Sequence, residues 1–329
     1  MGKRERKISR FTGRWITEQG AGTVEYVIVI LVAIVIGSGL LAFGNQVSGQ
    51  VSKTGDSISS WFSKANGSGG TGGGNADGGN SGTDSRIDEL KEKDPADWTL
   101  DDQKAVAEDI GKKGNSSELY AKAKDAMDAG TEWSIGLTDG KTLQYRIVGI
   151  NHDDLADGSG KAGLTFEATN NVLGLWCMNA TNTNTGGWEA SDLRAKMNSG
   201  KIWNLMPSEL QSKVKAVTKM TDNKGGVSAG TATATTDKVF LLSSTEVYGT
   251  EVYGTEVYGD LQSIGTQYEY YASKGVTRSS WSGASLGFRR WTRSVPPSGS
   301  TSFCCVGSNG AWGTNNATNP PYVFPAFCF

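Results

Sequence analysis

Few side chains in this chain are placed to do chemistry. His152 is the only histidine, and the cysteines are four: Cys177, Cys304, Cys305 and Cys328. A zinc site needs a second histidine or a placed cysteine beside His152, and neither occurs, so a hydrogen-bonded structural histidine is the better reading. A reactive thiol calls for C-x-x-C spacing or a basic neighbour that lowers its pKa. Cys304 and Cys305 are adjacent and, at the period of a strand, point to opposite faces. One structural disulfide stays open for an exported domain, with Cys304–Cys328 the pairing to test. Asp153, Asp154 and Asp157 offer hard oxygen ligands for calcium, but no bidentate glutamate follows at EF-hand spacing. A solvated turn accounts for them better. The residues therefore point away from catalysis, and neither a metal nor a cofactor is expected.

The bulk numbers narrow the classes further. The chain has 329 residues and a net charge of −2, so no global basic field points to nucleic acid. Glycine is abundant at 45 residues, and the apolar residues are spread unevenly. Four cysteines are too few for a disulfide-dense scaffold of this length.

The elements that would position a site begin with an anchor. Lys3, Arg4, Arg6, Lys7, Arg10 and Arg14 outweigh Glu5 and Glu18, a flank that keeps the N-terminus cytoplasmic. The charge-free run Val27–Phe43 lies at the short end of what a spanning helix needs, roughly 17–25 residues. No A-x-A-like site follows it, which argues against a plain signal peptide. Glu25 stands at the start of that run, and a charge at mid-membrane costs about 2.5–3.5 kcal/mol, so this carboxylate needs a partner.

The stretch Gly20-Ala21-Gly22-Thr23-Val24-Glu25-Tyr26 resembles the processing site of type IVb prepilins of the Flp/Tad kind. The resemblance implies cleavage by a prepilin peptidase between Gly20 and Ala21. Glu25 would become the fifth mature residue and neutralise the new amino terminus of a neighbouring pilin subunit, with Tyr26 beside it. A leader over 1–20 and a transmembrane and stalk helix over 21–64 follow, the stalk carried by Val47, Val51, Ile58 and Phe62 on one stripe. The implied partners are the peptidase, other pilin subunits and the membrane. The implied location is the membrane before processing and a cell-surface pilus after it.

Residues 65–85 are rich in glycine and lack any large apolar side chain, the composition of a flexible tether. Residues 86–130 read as a helical neck, interrupted at Pro95 and over 111–115. Asp97 or Thr99 would cap its middle helix, with Leu100, Ala107 and Ile110 on one face. From 131 to 329 the texture is short strands, polar turns and aromatics, which predicts α+β with irregular antiparallel structure. Leu143, Tyr145 and Ile147 alternate as in a half-buried strand. Val239-Phe240-Leu241-Leu242 reads as a central strand. Helices are expected near Leu193 and Met197, and from a capping box at Ser208 with Leu210, Val214 and Val217 on one face. Three copies of TEVYG over 245–259 read as a tandem duplication in an extended surface loop, since a five-residue period fits no solenoid.

Several stretches of this head resemble, in order, a bacterial surface-domain family of unknown function. They are His152-Asp153-Asp154-Leu155 with Asp157-Gly158-Ser159-Gly160-Lys161; Gly186-Gly187-Trp188; Asp237-Lys238-Val239-Phe240-Leu241-Leu242-Ser243; and Gly265-Thr266-Gln267-Tyr268-Glu269-Tyr270-Tyr271. The ending is similar to variable proteins diversified by retroelements. It comprises Arg290-Trp291-Thr292-Arg293-Ser294, Phe303-Cys304-Cys305-Val306, Gly310 and Phe324-Pro325-Ala326-Phe327-Cys328-Phe329. That resemblance implies a C-type-lectin-like or formylglycine-generating-enzyme-like fold with an exposed C-terminal face. Family members carry an aromatic pair where this chain has Arg290-Trp291, which puts Arg290 among the varied positions. The ligand face it implies consists of Arg290, Ser300, Ser302, Cys305, Ser308, Trp312, Thr314, Asn315, Asn316, Thr318 and Tyr322, with Asn309, Asn315, Asn316 and Asn319 as unchanged template asparagines. The ligand would be an extracellular protein or glycan. The leading expectation is a pilus-displayed or membrane-anchored adhesin. The alternative is a structural pilin or pseudopilin whose large head recognises nothing. A tethered enzyme of the formylglycine-generating type is disfavoured by the lone histidine and the thiol spacing.

Overall fold

The computed structural model describes residues 81–226, 231–249, 265–296 and 299–329. The leader, Gly20, Ala21, Glu25, Tyr26, the expected stalk helix, most of the Gly-rich segment, and the second and third TEVYG copies lie outside them. Among the described residues no helix is long and apolar enough to cross a membrane.

Three helices come first: α1 (Ser81–Glu92), α2 (Leu100–Lys113) and α3 (Tyr120–Ala129). α1 starts inside the segment read as tether, which shortens it. Once the run from Arg86 has nucleated, extending a helix backward by one turn costs little. Thr99, not Asp97, opens α2. Asp102 N–H donates to the Thr99 hydroxyl, and Thr99 N–H donates back to the Asp102 carboxylate, a reciprocal capping box. α2 runs through the expected break at Gly111 and ends where Gly114 takes φ +56°.

The architecture beyond is α+β, with every strand pair antiparallel. The main sheet contains β1 (Glu132–Gly136), β2 (Thr142–Ile150), β3 (Leu164–Ala168), β6 (Val239–Phe240) and β10 (Ala326–Cys328), in the order β1-β2-β3-β10-β6. β4 (Val217–Asp222) and β5 (Ala232–Asp237) form a ribbon. β7 (Arg290–Trp291), β8 (Ser302–Val306) and β9 (Trp312–Asn316) form a third sheet. Short helices α4 (Asp192–Asn198), α5 (Lys201–Leu205), α6 (Ser208–Gln211), α7 (Ser244–Tyr248) and α8 (Glu269–Ser273) fill the connections.

Two expectations are corrected here. Val239-Phe240-Leu241-Leu242 supplies only a two-residue edge strand. The carbonyls of Leu241 and Leu242 are taken by the Arg293 side chain and backbone N–H, at 2.9 and 3.0 Å, instead of a strand neighbour. The interior place belongs to the C-terminal strand β10, between β3 and β6. The helix at Ser208 lasts one turn, with no side-chain cap bond from the residue before it. Lys215 N–H is already paired with Cys328 O at 2.8 Å, so Val217 enters a strand.

The neck is not a spacer. Leu90, Val106, Ile110, Leu119 and Met127 are buried in the same core as Tyr145, Phe166 and Phe327. Trp133 Nε1 donates to Pro95 O at 2.9 Å, and the Tyr145 hydroxyl donates to Gln103 Oε1 at 3.1 Å. Contact is closest at Gly163, where a Cβ would lie 1.9 Å from the Ala107 carbonyl oxygen. Only glycine lets α2 approach the sheet that closely. The cover explains why β2, read as half-buried, is buried throughout from Tyr145 onward.

The first TEVYG copy is not an extended loop. It forms α7, with every residue from Ser244 to Tyr248 buried. Ser243 caps it: Glu246 N–H donates to the Ser243 hydroxyl at 3.0 Å, and Ser243 N–H donates to the Glu246 carboxylate at 2.8 Å. The flanks of the remaining copies are fastened together, since Tyr268 N–H donates to Glu246 O at 3.0 Å and Gln267 Nε2 to Val247 O at 2.9 Å. Deleting Thr250–Gly259 should therefore change the unfolding free energy by no more than about 1 kcal/mol, the scale of shortening a closed loop. Urea denaturation reads this directly. A loss of several kcal/mol would mean that the later copies belong to the core.

Candidate functional site

The candidate site is an exposed surface built on a buried ionic frame, and the frame comes first. Asp153 follows β2, Lys219 is on β4, Glu246 is on α7 and Arg293 follows β7. All four side chains are within 3% of full burial. Lys219 Nζ lies 2.5 Å from Asp153 Oδ1 and 2.6 Å from Glu246 Oε1. The Arg293 guanidinium grips both Glu246 oxygens, its Nη2 donating at 2.7 Å, and its Nε donates to Thr221 Oγ1 at 2.9 Å. The hydroxyls of Thr165 and Tyr268 donate to Asp153 Oδ2 at 2.6 and 2.8 Å. Two cations thus meet two anions with their lone pairs satisfied, the condition under which buried charge is tolerated. Burial opposes ionisation of both acids. Lys219 and His152 outweigh it for Asp153, and Arg293 and Lys219 for Glu246, so both pKa values lie below the usual carboxylate range.

Asp153 is therefore no solvated turn residue. Only Asp154, paired with Lys161 at 2.9 Å, and Asp157, bonded to Ser159, fit that reading. His152 stacks on Tyr268 with ring centroids 4.1 Å apart, and its Nδ1 lies 3.1 Å from Glu269. Among the described residues no group of three or more His, Cys, Asp or Glu could hold a metal. All four cysteines are free, which corrects the Cys304–Cys328 pairing. Burial pushes the Cys304 thiol up to about 12 and raises Cys328 well above its ordinary value, so neither is poised as a nucleophile.

A second ionic group sits beneath the C-terminal sheet. Arg290, on β7, is 2% exposed. It donates to Ala284 O at 2.8 Å and to the Tyr271 hydroxyl at 3.0 Å, and its Nε lies 3.6 Å from Glu167. Arg290 is consequently a frame residue and not part of an exposed ligand face. Cys305 is corrected in the same way. Phe303, Cys304, Cys305 and Val306 in β8 are all buried, so both faces of the strand are covered and Cys305 is not exposed.

The rest of the expected face is accessible. Ser300, Ser308, Thr314, Asn316 and Thr318 are exposed, and Ser302, Trp312, Asn315 and Tyr322 are half-buried. Along β9 the exposed residues Thr314 and Asn316 alternate with half-buried neighbours, so one face of this strand reaches solvent. Of the asparagines read as template positions, Asn309 and Asn319 are exposed with Asn316. Trp312 is partly engaged, with the Arg278 guanidinium 4.0 Å over its ring.

Beside β9 the surface dips into an open cavity of about 350 Å³, lined by Leu175, Arg289, Asn315, Asn319, Pro320, Pro321 and Tyr322. Backbone bonds lace its walls: Trp176 N–H to Pro321 O at 3.1 Å, Asn179 N–H to Ala317 O at 3.1 Å and Tyr322 N–H to Arg289 O at 3.0 Å. Phe288 meets the Tyr322 ring edge-on at 4.9 Å. Leu175 is 53% exposed and Phe288 is 37% exposed, large apolar side chains left at a surface. Of this cavity the expected face contained only Asn315 and Tyr322. Leu175 and Arg289 carry no motif, and only the fold brings them there. One signal was legible: residues 281–329 contain three arginines and no acid, so two buried partners from elsewhere leave the third arginine over.

Because the folded pKa values of Asp153 and Glu246 are lowered, their stabilising contribution is present above the unfolded values of 3.8 and 4.5 and is lost as pH falls below them. Glu246→Gln leaves Lys219 and Arg293 short of a counter-charge and should cost about 3–5 kcal/mol at pH 7. Its penalty should shrink between pH 5 and pH 3, read from urea midpoints. A penalty independent of pH over that window would contradict the ionic assignment.

Residues 168–329, just under half of the chain, match a family described as a domain of unknown function, DUF6273. No curated protein and no solved structure matches the chain. The matched stretch holds Lys219, Glu246, Arg290, Arg293 and almost all of the cavity's surroundings, while Asp153 and Glu167 lie before it.

Proposed function

We propose that this protein is a surface-displayed binding module. Its head holds out a recognition face over 300–322, and a pilin-like N-terminus anchors it. The carrying observation is the division between frame and face. The buried arginines and β8 are fixed by ion pairs and packing, while the small polar residues around them reach solvent without entering those bonds. Such a surface accepts substitution at little cost to folding, as adaptable binding surfaces do. The finer fold we assign is C-type-lectin-like. It is supported by a C-terminal strand seated inside the main sheet and a separate small sheet carrying the face.

In this reading the variable positions are Ser300, Ser302, Ser308, Trp312, Thr314, Asn315, Asn316, Thr318 and Tyr322, without Arg290 and Cys305. The ligand is an extracellular protein or glycan, and the anchor is cleaved between Gly20 and Ala21 and assembled through Glu25 and Tyr26. The protein acts by binding and not by catalysis. Two measurements test it. Sequencing the gene across a population should find adenine-templated changes at the exposed codons of the last fifty or so, sparing Arg290, Arg293 and Cys305; uniform drift would refute the recognition face. Mass spectrometry of the exported protein should find Ala21 first. An intact Met1 or a cut after Phe43 would refute the pilin-like anchor.

A further inference from the structure

The cavity beside β9 has a single charged residue in its lining, Arg289. Residues 169–188 and 281–329 supply all of its lining, and together they contain no acid and no lysine. Their charged residues are Arg289, Arg290 and Arg293. Arg290 and Arg293 are buried against Glu167 and Glu246. Arg289 is exposed, lines the cavity, and makes no side-chain hydrogen bond or ion pair among the described residues. In a chain with near-balanced charge, one guanidinium therefore stands in a concave, otherwise neutral setting, with no carboxylate among the described residues paired to it.

The neighbouring groups say what else the occupant must offer. Asn319 Nδ2 donates to Asn315 Oδ1 at 2.6 Å, and Asn316 N–H donates to the same oxygen at 3.1 Å. Asn315 Nδ2 and Asn319 Oδ1 are left without a protein partner among the described residues, as is the Tyr322 hydroxyl. An adjacent donor and acceptor suit hydroxyl groups, each of which can both give and take a hydrogen bond. Tyr322, steadied by Phe288, adds a ring face, and Pro320–Pro321 a rigid wall. The volume of about 350 Å³ lies at the small end of ligand sites, which run roughly 300–1,000 Å³, and takes one or two sugar rings.

We infer that this cavity binds a carboxylated sugar unit of a glycan, with the Arg289 guanidinium on the carboxylate, Asn315 and Asn319 on ring hydroxyls, and Tyr322 against the ring. Arginine suits the first role because its planar fork meets a carboxylate through two parallel N–H bonds. The inference rests on the recognition-face reading and narrows it to a ligand class.

The test is saturation-transfer NMR and titration of the full chain with three probes. D-glucuronate carries ring and carboxylate, D-glucose the ring alone, and N-acetylglutamate the side-chain carboxylate of a peptide glutamate together with a free α-carboxylate. Glucuronate should bind at least about tenfold more tightly than either of the others. Arg289→Gln should remove that advantage, bringing glucuronate down to the level of glucose with the same variant, and Arg289→Lys should restore only part of it. Arg289 is exposed and makes no side-chain bond among the described residues, so these variants should fold as the parent does, which thermal melting checks. Equal binding of glucuronate and glucose, or glucuronate binding indifferent to Arg289→Gln, overturns the inference. So does tighter binding of N-acetylglutamate, which would point to a protein ligand. If none of the three binds, the inference fails while the recognition face still stands or falls on the population sequences. If glucose binds and is lost on Tyr322→Ala without dependence on Arg289, the face survives and the acidic-sugar assignment does not.

Discussion

Lys219 and Arg293 lie in the interior with Asp153 and Glu246, and most of the structure can be traced to keeping those four charges paired. Moving an unpaired ion out of water costs several kcal/mol even after relaxation, so any arrangement that separates them is penalised. They come from a loop after β2, from β4, from α7 and from the segment after β7, positions far apart in sequence. Satisfying them fixes where the ribbon, the first TEVYG copy and the C-terminal sheet sit. The same demand takes the carbonyls of Leu241 and Leu242 away from the main sheet and leaves the interior position to β10.

The Arg290 group extends this frame beneath β7 and β8. Arg289 and Arg290 are neighbours in the chain, yet one lines an open cavity and the other is sealed against Glu167 and Tyr271. Arg289 lies just before β7 and remains exposed, whereas both residues of β7, Arg290 and Trp291, are buried. β8 is buried from Phe303 to Val306, so both of its faces are covered, whereas β9 leaves Thr314 and Asn316 in water.

What the sequence made legible follows from how local the signals are. The α+β class, the helix around Leu193 and Met197, the strand through Tyr145 and the capped helix at Thr99 each rest on a few adjacent residues, and each is present. Misreadings occurred where a distant partner decides. Asp153 looked like a turn residue until Lys219 was beside it. Val239–Leu242 looked like a central strand until Arg293 claimed its carbonyls. TEVYG looked like a loop because it repeats, but its first copy is a helix whose Glu246 serves the ionic frame. Of the proposed face, the serines, threonines and asparagines that prove exposed were named from composition and resemblance. The burial of Arg290 and Cys305 was not, nor were Leu175 and Arg289, which only the folded chain brings to the cavity.

The division between frame and face is the claim on which the functional account stands, and one measurement tests it without knowledge of any ligand. The full chain carrying combined substitutions at Ser300, Ser308, Thr314, Asn316 and Thr318 should melt within a few degrees of the parent, because exposed side chains outside special contacts usually change stability by no more than about 0.5 kcal/mol each. Arg290→Met and Arg293→Met, made singly, should each lower the melting temperature by about ten degrees, since each takes the guanidinium away from a buried carboxylate. Comparable losses in the two sets would contradict the account, because the face would then be part of the scaffold.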